Sequence, residues 1–265
     1  MQKPKEHDIV VEGQLIHYYH AEPSGEKKGT LVFLHGWGSN SPLWFSSTVK
    51  LIEHGYELYY LDLPGFGKSS SPRHAFFLSD YAHIITQVME KLEIEKPILV
   101  GHSFGGKIAV RITSKKHIPL AGMVLVDSSG LPHTSLITKV KIGIAKTVKP
   151  VTNLSFMQGV RSTLLRVAGS DDYVAFPEAR ETFVNIIREH VASELGEISL
   201  PTLVLWGGND DNSYTPPSDA TVFTNGIAGA HMKIIDQAGH YCFLDQPTIF
   251  FQALFSFVEQ NYGKN

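Results

Sequence analysis

The 265-residue chain reads as an α/β protein: a mostly parallel, doubly wound sheet interrupted once by a helical insertion. Three observations predict it. Short, fully apolar runs recur along the chain, as suits parallel strands covered on both faces. Helix-period segments separate them. Between residues 131 and 198 the alternation stops, and helix-like sequence runs on without a clear strand.

The elements follow in order. His7–Glu12 and Leu15–His20 alternate like a hairpin around Gly13-Gln14. Thr30–Leu34 is a continuous apolar run ending in HGWG, and Leu58–Leu61 is another, ending in DLPGFGKS. Ile98–Val100, Met123–Val126, Thr202–Trp206 and Met232–Ile235 complete the predicted buried strands. Helices are predicted over Leu78–Leu92, with Ser79-Asp80 as cap residues, and over Gly106–Ser114, Ser218–Gly226 and Thr248–Gln260. The expected organisation is a core of 1–130 plus 199–265 and a helical cap of 131–198.

Composition narrows the function. With 23 Lys and Arg against 26 Asp and Glu, the net charge of −3 argues against a nucleic-acid binder. The single cysteine, Cys242, excludes an internal disulfide. No run is long enough for a membrane span, and the first residues carry no secretory pattern, so the expected location is cytoplasmic. The insertion is charge-segregated. Residues 131–170 hold Lys139, Lys141, Lys146, Lys149, Arg161 and Arg166 with no acid, a face that suits an acidic carrier protein, a substrate carboxylate or a solvated surface.

Chemistry concentrates in five short motifs. Gly101-His102-Ser103-Phe104-Gly105 places one serine between glycines, where a strand hands over to a helix. On so sharp a turn the hydroxyl stands exposed above the sheet, next to the N–H groups opening the helix. Such a serine needs a base, and the base an orienting acid, in the chain order Ser, acid, His. Among 13 histidines, His240 follows a strand and is the candidate base. Asp210 follows the preceding strand and is the candidate acid, with Asp127 and Asp211 as rivals. An oxyanion requires two backbone donors, assigned to Trp37 and Phe104. His35 and Asp62 are read as loop braces. The glycine spacing of GFGKS does not fit a phosphate loop.

HGWG, DLPGFGKS, GHSFGG, WGGND and AGH, in that order, resemble the α/β-hydrolase superfamily in its small, cap-bearing branch. HGWG and DLPGFG are similar to pimeloyl-carrier methyl ester esterases, from whose usual tryptophan-containing elbow GHSFGG departs. The resemblance implies an α/β-hydrolase fold and a cofactor-free serine esterase acting on small to medium acyl esters. Within the same superfamily it leaves open a carbon–carbon bond hydrolase of vinylogous diketones, a thioesterase or acyltransferase, and a ligand-binding protein that does not turn over. Phe156, Met157, Leu164, Leu165 and Val167 are expected to line an acyl pocket or to pack the cap.

Overall fold

The computed structural model describes residues 3–133 and 179–262. Eight strands form one sheet: β1 (Lys5–Val11), β2 (Gln14–Ala21), β3 (Gly29–Leu34), β4 (Tyr56–Leu61), β5 (Ile98–His102), β6 (Gly122–Val126), β7 (Thr202–Gly207) and β8 (His231–Ile235). Their order is β1-β2-β4-β3-β5-β6-β7-β8. β1, β2 and β4 pair antiparallel, and β4, β3 and β5 to β8 run parallel. Parallel strands need crossovers, which the helices supply. From β4 onward these are α1 (Leu78–Lys91), α2 (Phe104–Lys115), α3 (Arg180–Arg188) and α4 (Ser218–Gly226), while α5 (Pro247–Tyr262) follows β8.

The sheet divides two cores. On one face Ile85, Met89, Ile108, Ile112 and Phe223 from α1, α2 and α4 pack on Val32, Leu99 and Leu125. On the other, Trp44, Phe250, Leu254 and Phe257 pack on Phe33, Val100 and Val124. Successive strand residues therefore serve opposite cores, which is why β3, β5 and β6 read as unbroken apolar runs.

Two expectations change. The apolar run Met232–Ile235 predicts a covered strand, yet only Ile235 of β8 is buried, and Met232 is 43% exposed. β8 is an edge strand, and edge position is a property of the sheet, not of the local sequence. The cap of α1 also differs. Ser79 lies inside the helix, and Asp80 reaches back from its first turn to accept the Phe77 N–H at 2.7 Å.

The insertion expected at 131–198 falls mostly outside the described residues, and Phe156, Met157, Leu164, Leu165 and Val167 lie there, as does the basic run from Lys139 to Arg166. Its last part is fastened to the sheet's helices. Arg111 on α2 pairs with Glu194 at 2.9 Å, and the Ser114 hydroxyl donates to Glu194 at 2.6 Å. Lys107, buried on α2, donates to the Ile186 and Glu189 carbonyls at the end of α3. Such cation capping satisfies carbonyls that the helix leaves open. Val191, Leu195 and Ile198 join the core itself.

The amino ends of the strands are closed by α5. The Tyr262 hydroxyl lies 2.8 Å from both the Thr30 and Lys96 carbonyls and shares its one proton between them, and Glu259 accepts from Tyr56 and Lys28.

Candidate active site

Register brings the motifs to one place. Leu34 pairs with Gly101, His102 with Val126, and Gly207 with Ile235, so β3 and β5 to β8 end side by side. The loops that follow carry His35, Ser103, Asp127, Asp210 and His240. Ligands and reactive groups gather at this carboxyl edge in open α/β sheets.

Ser103 sits between β5 and α2 with φ 50° and ψ −111°, outside the regions open to a relaxed L-residue. The conformation is held on both sides. The Ser103 N–H donates to Val126 O at 3.0 Å, and its carbonyl accepts from Lys107 and Ser129. The flanking glycines are sterically required: a Cβ at Gly101 would overlap the Gly105 backbone, and one at Gly105 would overlap Leu34 O. The Ser103 side chain makes no capping hydrogen bond to α2, which removes the reading of it as a simple helix cap.

His240 and Asp210 meet. His240 Nδ1 donates to Asp210 Oδ2 at 2.9 Å. This fixes the tautomer and leaves Nε2 as the free ring nitrogen. The Asp210 side chain is fully buried and the His240 side chain 15% exposed. Asp210 is held in turn: Asn212 N–H donates to Oδ1 at 2.9 Å and the Thr215 hydroxyl to Oδ2 at 2.8 Å. Thr215 Oγ1 also lies 3.0 Å from His240 Nδ1. The two loops are joined through Asn209 N–H to Ala238 O at 2.9 Å. Thr215 was not among the residues singled out by motif; its only sequence signal is its place five residues after the acid.

Asp127 and Asp211 do not occupy that position. Asp127 accepts the Gly207 N–H at 2.7 Å through Oδ1, and its buried Oδ2 has no hydrogen-bond partner among the described residues. Burial pushes its carboxyl up to about 7. Asp211 is exposed. Burial and the nearby Asp127 also hold the Cys242 thiol well above its usual range, so it stays unionised.

The loop braces are explicit. His35 Nδ1 donates to Gly36 O at 2.7 Å, its Nε2 accepts the Leu63 N–H at 3.0 Å, and burial drives its pKa down to about 4. It is therefore a neutral strut between the HGWG and DLPG loops. Asp62 accepts from Ser41 N–H and Lys68 N–H, each at 2.8 Å, and from the Ser41 hydroxyl. Trp37 and Phe104, the two expected donors, are neighbours with ring centroids 5.4 Å apart. Phe104 opens α2, so its N–H has no carbonyl partner within the helix. Phe66 and Phe183 complete an aromatic wall around Trp37 at 4.9 and 5.1 Å. No cluster of metal-ligating side chains occurs among the described residues.

Comparison with known proteins agrees with this architecture. The chain is 29% identical to a 2-hydroxy-6-oxononadienedioate/2-hydroxy-6-oxononatrienedioate hydrolase of Klebsiella pneumoniae, over 94% of this chain and 93% of that protein. Its fold is similar to that of an esterase from Exiguobacterium antarcticum (TM-score 0.73, 22% identity, 94% of this chain and 97% of that one). It is also similar to a bacterial membrane phospholipase A (TM-score 0.77, 22% identity, 97% and 86%). The profile of the alpha/beta hydrolase family matches residues 31–253, most of the chain, and with the sheet order and the strand-end loops described above it establishes that this protein belongs to the α/β hydrolase family.

Proposed function

We propose that the protein is a serine hydrolase that cleaves carboxylic esters of small to medium acyl chains through an acyl-enzyme on Ser103. The observation that carries this reading is the 2.9 Å His240–Asp210 hydrogen bond, set at the same sheet edge as the strained Ser103. Ser103 Oγ attacks the carbonyl carbon while His240 Nε2 takes its proton. Asp210 keeps the imidazole oriented and stabilises its cationic form. The N–H groups of Trp37 and Phe104 receive the oxyanion, an effect worth roughly 3 kcal/mol per donor. Collapse expels the alcohol with the proton from His240. Water, activated by the same base, then releases the acid and restores Ser103.

A second reading is carbon–carbon bond hydrolysis of a vinylogous diketone acid with the same three residues. It rests on the likeness, over nine tenths of the chain, to hydrolases named for 2-hydroxy-6-oxononadienedioate.

The test is turnover of p-nitrophenyl esters from acetate to dodecanoate by wild type and Ser103→Ala. A coloured 2-hydroxy-6-oxo-dienedioate is assayed in parallel by loss of its absorbance. Ester turnover that falls about a thousandfold or more in Ser103→Ala supports the first reading. Bleaching of the diketone without ester turnover selects the second. Neither, in a folded protein, leaves a ligand-binding protein.

A further inference from the structure

His102 immediately precedes the candidate nucleophile and is the last residue of β5. It is 2% exposed, and its ring lies against His240 (centroids 4.7 Å apart), Tyr241 (5.0 Å) and Phe243 (5.2 Å). Its Nε2 is 2.8 Å from the backbone carbonyl of His240. A carbonyl only accepts, so Nε2 carries the proton. Space for the ring is made by Gly36, where a Cβ would come within 2.9 Å of His102 Nδ1 and 3.3 Å of Ser103 Cβ.

We infer that His102 is a positioning residue, a neutral hydrogen-bond donor that locks the peptide of the base to the residue next to the nucleophile. The inference rests on the assignment of Ser103 and His240 made above. Ser103 and His102 share one peptide bond, and His102 and His240 share one hydrogen bond. Nucleophile and base are thereby registered by two short links, in addition to the bonds the loop makes through Ala238, Gly239 and the His240 ring. The titratable groups facing His102 are His240, Tyr241 and His35. Burial and His240 both act against a charge on His102, whose pKa lies well below 6.5. A charged His102 would oppose the imidazolium that forms on His240 during each turnover. A neutral one holds it without that repulsion.

The experiment compares His102→Phe, which keeps a ring but removes the donor, with His102→Gln, which restores a neutral N–H. Readouts are kcat and KM on p-nitrophenyl butyrate, the rate at which a fluorophosphonate labels Ser103, and the melting temperature. An ångström of misplacement costs about a hundredfold in rate. The expected result is a kcat lower by about ten- to a hundredfold in His102→Phe, with KM within about twofold and parallel slowing of labelling. His102→Gln is expected to recover most of the loss. Full kcat in His102→Phe, or equal losses in both variants, overturns the inference. Should His102→Phe not fold, ¹⁵N-histidine NMR of the wild type decides, using the His102→Gln spectrum for assignment. A neutral Nε2–H tautomer that does not titrate between about pH 5 and 8 is expected, and an Nδ1–H tautomer or a titrating ring overturns the inference. A wild type that resists the fluorophosphonate, or a Ser103→Ala that still turns over, fails the assignment of Ser103 instead.

Discussion

The ends of β6 and β7 make an instructive pair. Each strand runs into a buried aspartate, Asp127 after Val126 and Asp210 three residues after Gly207, within one sheet edge. Asp210 is surrounded by donors: His240 Nδ1 and the Thr215 hydroxyl on one oxygen, the Asn212 N–H on the other. Asp127 has one N–H donor, that of Gly207, with only the weakly donating Cys242 thiol beside it, and its Oδ2 has no hydrogen bond of full geometry among the described residues. A carboxylate survives burial as an anion only where hydrogen bonds replace its water. What separates the two residues is thus what each loop delivers after the strand. The β7 loop turns back through Asn212 and Thr215 and offers the carboxylate a shell. Past β6 the chain supplies Asp127 with nothing comparable.

The comparison can be broken most decisively at the acid. Asp210→Asn is expected to lower kcat by about a thousandfold or more on whichever substrate the wild type turns over, because the amide favours the wrong histidine tautomer. The same change at Asp127 is expected to cost less than about tenfold, and a reversal of the two results would move the acid to β6. Thr215→Val, which keeps the volume and deletes the hydroxyl, sharpens the account of the donor shell. A hydrogen bond to a carboxylate is worth about 1.5–3 kcal/mol, so kcat is expected to fall about ten- to a hundredfold, with Thr215→Ser close to wild type. The smallest effect belongs to Asp127 and is read in stability. Its folded carboxyl keeps a proton up to about pH 7, while the unfolded chain releases it near 3.8. Between those values the folded state binds the extra proton, so raising the pH across that window removes stability. Melting temperatures of Asp127→Asn minus wild type are therefore expected to climb from pH 4 to pH 7. A difference that stays level would show that Asp127 titrates in the ordinary carboxylate range.

Much of this was legible in the residues. The strands announce themselves as apolar runs because most have a core on each face, and the elbow does so because Gly101 and Gly105 admit no Cβ. Asp210 and Asp127 could be ranked but not separated, since both are aspartates just past a strand and only the returning chain distinguishes them. Thr215 and His102 escaped for a related reason. Thr215 stands five residues after the acid but joins it to a base 25 residues on, and His102 meets a partner 138 residues away, which no local motif encodes. The exposure of β8 likewise depends on its place at the edge. The apolar pocket expected from Phe156, Met157, Leu164 and Leu165 lies outside the described residues, so the acyl group's size is a matter for the ester series.

The Tyr262 staple has a practical consequence. It closes the pole of the sheet opposite Ser103, and the five residues of β5 put the two poles about 16 Å apart at about 3.3 Å per residue. A support or fluorophore coupled near Lys96 would hold the molecule by its closed end and present the reactive edge to the medium. Coupling through the loops after β3 or β7 would turn that edge toward the surface. Immobilised activity, compared between the two orientations, becomes a direct reading of which pole substrate enters.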